Sequence, residues 1–163
     1  MDISKILEWV YTAKPELRKR TISDIEGKDI FLAESLIQEE YAEAKEAIFE
    51  GNKVEFIDAI VDSMWMVLNY AALAGVTITE LDTYASLVLT SNYSKFCESE
   101  EEAAQTVALY SIGQHPDKML QSIKTYYKKV GDVYVVLRED DNKIMKSYKY
   151  EDVKLLHNQY LKK

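Results

Sequence analysis

A chain of 163 residues is long enough for one domain with a sizeable core and short for two. Hydrophobic residues make up 47% and charged residues 29%, and only 5 Gly and 2 Pro argue against a β-sandwich or a disordered chain and for long helices. The net charge of −8 argues against binding nucleic acid through a basic surface. A nucleotide ligand stays open, because a divalent cation can reverse the sign of a local site.

The single cysteine, Cys97, leaves no internal disulfide and no cysteine metal site, which points to a reducing, cytoplasmic setting. The N-terminus MDISKILEWVYTAKPELRKR carries its basic cluster after its apolar part, the wrong order for a secretory signal. The most apolar stretch, residues 64–78, is too short to span a bilayer and reads as a buried core helix, so no membrane partner is expected.

In chain order, residues 2–12 predict a short amphipathic helix with Ile3, Ile6, Leu7 and Val10 on one face. Residues 14–27 read as a polar connection whose Arg18, Lys19 and Arg20 are solvated surface. A strong helical pattern runs from Lys28 to about Glu50 and stops at Gly51. A second runs from Lys53 to Ala74 and ends at Gly75, with Asn52 as N-cap and Glu55 in the capping-box position. So short a link predicts an antiparallel helical hairpin. Thr77–Glu80 caps a third helix to about Leu89, and Ser99–Glu102 a fourth to about Tyr110. After GQHP, a further helical segment is expected to Lys129. The sequence GDVYVVLREDDNKIMKSYKY then predicts a β-hairpin, strands 133–138 and 143–148, turning at Asp140-Asp141-Asn142. A last helix covers about 151–161.

The two long helices carry eight carboxylates between residues 36 and 62. Glu43 lies four residues after Glu39 and three after Glu40, so it neighbours both on the helix surface. Glu55, Asp58 and Asp62 form a second stripe, which continues into Trp65, Met66 and Asn69. Asp58 and Asp62 sit in an otherwise apolar helix, where uncompensated burial would cost several kcal/mol each. Two acidic stripes with only Lys45 and Lys53 nearby suit a hard divalent cation with oxygen ligands. Glu40, Glu43, Asp58 and Asp62 are the expected ligands. Glu55 is either cap or ligand, and Glu34, Glu46 and Glu50 face solvent. His115 and His157 lie far from the acids in sequence, and GxxxxGK[ST] is absent, which argues against histidine catalysis and a P-loop.

The pattern Glu39-Glu40-x-x-Glu43 followed by Glu55-x-x-Asp58 and Asp62 resembles the EExxE and ExxD signature of MazG-like all-α nucleoside triphosphate pyrophosphohydrolases, the superfamily that includes phosphoribosyl-ATP pyrophosphohydrolase. In one register Glu55 and Asp58 match the second half literally. In the other, Asp62 takes the aspartate position and Ala59 stands where the family has glutamate. Ser91-Asn92-Tyr93-Ser94-Lys95 is similar to an SNxSK element of phage-type and bacterial members, whose Asn and Lys reach the phosphates; the alternative is a helix-end Asn and a surface Lys. The Lys146–Tyr150 segment looks like the C-terminal part of the same subgroup, which makes Lys146 a further substrate contact.

The resemblance implies one mainly α domain over 1–163: a helical bundle core (about 28–129), a small hairpin (about 132–149) and a terminal helix. It implies hydrolysis of a nucleoside triphosphate to monophosphate and pyrophosphate with Mg²⁺, Mn²⁺ being a possible substitute. Glu39 is the candidate base or a further ligand, Trp65 and Asn69 either contact the base or sugar or pack in the core, and a homodimer or homotetramer completes the bundle. The alternative is a non-catalytic helical module that binds metal or protein.

Overall fold

In the computed structural model, which describes residues 3–116 and 121–160, the apolar spacing of the acidic stretch resolves into two long helices, α2 (Gly27–Glu50) and α3 (Lys53–Leu73). Their link works because Gly51 adopts φ 68°. That lets Gly51 N–H reach Ile48 O (3.2 Å) and Asn52 N–H reach Ala47 O (2.9 Å), a Schellman ending. Asn52 then caps α3 by accepting from Glu55 N–H at 3.3 Å. Both ends of the turn are locally encoded, so α2 and α3 lie against each other as expected.

The chain divides into two compact units, Met1–Asp82 and Thr83–Lys163. The first contains α1 (Ile3–Ala13), two 3₁₀ turns (Pro15–Lys19 and Ile22–Asp24), α2, α3 and the start of α4 (Ile78–Tyr93). Its core is Leu7, Val10, Tyr11, Leu17 and Ala72, with Leu73, Ile78 and Leu81 against it. Gly75, also at φ 68°, ends α3 with a second Schellman pair and passes so close to the preceding connection that a Cβ there would sit 1.8 Å from Arg20 O. The Tyr11 hydroxyl donates to Val76 O at 2.6 Å and holds α1 to the same corner. The first unit carries 8 Lys and Arg against 17 Asp and Glu, net −9, and the second 12 against 11, net +1.

Two expectations for the first unit are corrected. The 64–78 stretch is not a buried core helix: on α3 only Ala59, Leu68 and Ala72 are buried, while Val54 (75%), Ile57, Met64 and Val67 face outward. α3 packs on α2 and, toward its C-terminal end, on α1, and these neighbours leave Val54, Ile57, Met64 and Val67 uncovered. By length and composition α3 is also apolar enough to cross a bilayer. Arg20 is not solvated surface. Its guanidinium pairs with Asp29 at 2.8 Å and donates to Asp24 O, tying the connection to the first turn of α2.

The second unit contains α5 (Glu100–Ser111), β1 (Thr125–Val130), β2 (Val133–Arg138) and α6 (Val153–Tyr160). Cys97, Ala103, Tyr110, Val136 and Met145 form its core. The segment expected to be helical up to Lys129 is instead strand β1 from Thr125 onward, paired antiparallel with β2 from Thr125↔Arg138 to Val130↔Val133. The reason is local: TYYKKV is β-branched and aromatic, and Gly131-Asp132 is a two-residue hairpin turn. Asp140-Asp141-Asn142 does turn the chain, with Arg138 paired to Asp141, but the expected strand 143–148 reduces to one bridge, Leu137↔Ile144. Asp2, residues 117–120 and Leu161 of the expected helices lie outside the described residues.

The segment after that bridge is held by a buried carboxylate. Glu102, 4% exposed on α5, accepts from Ser147 Oγ (2.5 Å), Lys149 Nζ (3.1 Å) and Glu98 N–H (3.3 Å). Burial pushes its carboxyl up, but these three donors together outweigh burial and leave it below its ordinary value.

Candidate active site

Consecutive turns of α2 carry Glu39, Glu40 and Glu43, and α3 carries Glu55, Asp58 and Asp62. Their packing as a hairpin brings the two stripes together. The clearest sign is Glu40, whose carboxyl is raised first by burial and then by the charges of Glu43, Asp62, Glu39 and Asp58. Acids from both helices therefore bear on Glu40. Among the described residues, no Lys or Arg is paired with any of them.

Glu55 is released from one of its two readings. In a capping box its carboxylate would accept from Asn52 N–H, but that N–H donates to Ala47 O. Asn52 caps α3 by itself, and Glu55 stays exposed in the first turn, on the same stripe as Asp58.

The donor set fits a hard cation in its chemistry: carboxylate oxygens on adjoining helices with no competing cation. The side chains are not drawn into a cage. Among the described residues, no group of three or more His, Cys, Asp or Glu stands so gathered as to hold an ion. Bare carboxylates at neighbouring positions repel and spread, so this is the arrangement expected of them without a counter-charge.

Beyond the acids the stripe continues as expected into Trp65, Met66 and Asn69. The Asn69 amino group donates to Trp65 O at 2.9 Å. The sequence reading missed Trp9, which α1 sets edge-on to Trp65 with ring centroids 5.3 Å apart. The available signal was a tryptophan lying off the apolar face of α1, where it remains 56% exposed.

Asn92, Lys95 and Lys146 belong to the second unit. Lys95 Nζ donates to Asn92 Oδ1 at 2.6 Å, and Asn92 Nδ2 donates back to Val88 O, one turn earlier on α4. Lys146 Nζ lies 4.3 Å from the centre of the Tyr150 ring. Ser91 Oγ contacts the Tyr150 hydroxyl (2.9 Å) and donates to Glu151 O (2.8 Å), and Glu151 N–H donates to Ser94 Oγ (2.9 Å). The serines of the SNxSK-like element thus stitch it to the 146–151 segment, which places Asn92, Lys95 and Lys146 in one neighbourhood. Of the two histidines, His115 is buried and stacked on Tyr110, while His157 is stacked on Tyr84.

Comparison with known proteins agrees with the acidic hairpin. The family described as phosphoribosyl-ATP pyrophosphohydrolase matches residues 8–84, which begins in α1, includes both acidic stripes and ends within two residues of the first unit's boundary. No curated protein and no solved structure matches. Residues 8–84 thus match the phosphoribosyl-ATP pyrophosphohydrolase family, which lies within the MazG-like all-α nucleoside triphosphate pyrophosphohydrolase superfamily that the acidic pattern resembles.

Proposed function

We propose that the protein is a Mg²⁺-dependent pyrophosphohydrolase that cleaves the α–β phosphoanhydride of a (d)NTP with water, giving the (d)NMP and pyrophosphate. The observation that carries this reading is that the α2–α3 hairpin sets two acidic stripes side by side, so that the charges of Glu43, Asp62, Glu39 and Asp58 all bear on Glu40, inside the segment that matches a pyrophosphohydrolase family. Glu40, Glu43, Asp58 and Asp62 would hold Mg²⁺, or Mn²⁺ in its place, with Glu55 as an additional donor. The ion would supply charge neutralisation for the phosphates and a lowered pKa for the attacking water.

The remaining steps fall to the chain itself. Glu39, whose charge also bears on Glu40, would accept the proton of the attacking water or serve as a further ligand. The pyrophosphate leaves as an anion, so no proton need be delivered to it at neutral pH. For the phosphate tail we retain Asn92, Lys95 and Lys146, an amide and two ammonium groups. Trp65 and Asn69 would contact base or sugar.

We further propose that the uncovered apolar faces of α2 and α3 meet a second copy of the chain. Phe49 (80% exposed), Tyr41, Ile48, Val54, Ile57 and Val67 are large apolar side chains left exposed along these two helices, the kind of surface a partner subunit covers. A homodimer or homotetramer of a cytoplasmic enzyme accounts for it without a membrane or nucleic acid.

The test is pyrophosphate release with and without Mg²⁺ across ribo- and deoxyribonucleoside triphosphates and phosphoribosyl-ATP. No turnover with any of them sinks the enzyme reading. The ungathered carboxylates favour a second reading, a helical module that binds metal or protein without catalysis. Ion binding without turnover on that panel would select it.

A further inference from the structure

The hairpin of the second unit has one open strand edge. Antiparallel neighbours alternate between residues that bond to each other and residues that turn their main-chain groups away. β2 fixes the phase. Tyr134 exchanges bonds with Cys97, Val136 O accepts from Met145 N–H, and Arg138 N–H donates to Lys143 O, so all three point away from β1. Their β1 partners, Lys129, Tyr127 and Thr125, therefore also point away, on the opposite side of the hairpin. Glu139 N–H bonds to Lys124 O at 3.1 Å, in the same phase.

β2 is thus covered on both edges and β1 on one. Among the described residues, no main-chain group bonds to the outer row of Thr125, Tyr127 and Lys129. Thr125 Oγ1, at the head of that row, is buried with no hydrogen-bond partner among them, a group that calls for a neighbour.

Proteins blunt an open edge with proline, a bulge, short length or charge. β1 pairs one to one over six residues, with no proline and no bulge, so charge is the device in use. Lys124, Lys128 and Lys129 are exposed, no acid lies between 124 and 130, and none of the three is ion-paired among the described residues. Such an edge discriminates between strands. A second β1 would bring six lysines to one seam, whereas a strand bearing carboxylates neutralises them.

We propose that the outer edge of β1 docks an extended acidic segment of a partner protein, which adds a strand to the hairpin. Main-chain bonds to Thr125, Tyr127 and Lys129 hold the segment. Carboxylates at every second position meet Lys124 and Lys128, which share one face with Tyr126. The proposal is independent of any hydrolase activity in the first unit.

The probe is a fluorescein-labelled nine-residue peptide of alternating Glu and Thr, titrated with the full-length protein and followed by anisotropy. Its counterparts carry Lys for Glu, or the same Glu and Thr with every amide N-methylated, which keeps the charge and removes the main-chain donors. Saturable binding of the first peptide is expected, with both counterparts weaker by at least about tenfold. Lys124→Gln combined with Lys128→Gln should weaken binding about two- to thirtyfold, two cross-strand charge pairs being lost. Equal binding of the N-methylated peptide overturns the proposal, since charge alone then attracts it. Absence of saturable binding, equal binding of the Lys peptide, or unchanged affinity in the double variant overturns it too. Peptide that binds only by lowering the protein's mass in light scattering also overturns it, because a second copy then holds the edge.

Discussion

Gly75→Ala should destabilise the first unit by about 2–5 kcal/mol, and Gly51→Ala by only about 1–2 kcal/mol. Both glycines sit at φ 68° and both end a helix with the same hydrogen bonds, so both substitutions put an L-residue in the left-handed region, at about 1–2 kcal/mol. They differ in their surroundings. The added Cβ meets nothing within 4 Å at Gly51, whereas at Gly75 it falls 1.8 Å from Arg20 O and 2.8 Å from Arg20 C. Those are backbone atoms, and Arg20 is anchored to Asp29, so relief requires moving the end of α3 away from the connection. Forced overpacking of that kind adds about 1–3 kcal/mol and strains the Tyr11–Val76 hydrogen bond. Urea unfolding followed by tryptophan emission isolates the effect, because both tryptophans lie in the first unit. If the two variants lose equal stability, the close approach at Gly75 is not a tight packing constraint and the reasoning fails.

Asp62→Asn should lower pyrophosphate release at least about a hundredfold, while leaving the ion-free protein as stable or a few tenths of a kcal/mol more stable, since it removes one of the charges that press on Glu40. Normal turnover by that variant would show the ligand assignment to be wrong; chemical denaturation in EDTA supplies the stability half. Glu102→Gln should cost about 1–3 kcal/mol in the second unit, read by circular dichroism, because Ser147 and Lys149 lose a charged acceptor. The wild type has a matching pH signature. Glu102 is held below 4.5 when folded, so its contribution is complete above 4.5 and is lost as pH falls through the folded value. A stability profile that is flat through the acid range in wild type and Glu102→Gln alike would contradict the role. Phe49→Lys combined with Ile57→Lys should shift the protein towards monomer in light scattering, and an unchanged mass would place the subunit contact elsewhere.

How much of this was legible in the sequence depended on range. The α2–α3 hairpin was readable because Gly51, Asn52 and the apolar spacing all act within a few residues of one another. The capping alternative for Glu55 could not be settled from spacing, since it turned on whether Asn52 N–H was already used by Ala47 O. Residues 125–129 were read as helix because so short a run between a loop and a glycine carries too little periodicity to decide, and pairing with β2 decided it. Burial of the apolar helix was misjudged for a different reason. Hydropathy states that a face must be covered but not whether the same chain covers it. Trp9 and Glu102 owe their places to partners 56 and 45 residues away, Trp65 and Ser147. Such pairings leave no local trace.

The division of charge between the units has a kinetic consequence. A triphosphate nearing a region of net −9 meets repulsion over the distance a mobile ion atmosphere permits, about 10 Å at 0.1 M salt. Enzymes that draw anions in with basic surfaces slow down as salt is raised. Encounter with this first unit should run the other way, quickening with monovalent salt until screening is complete.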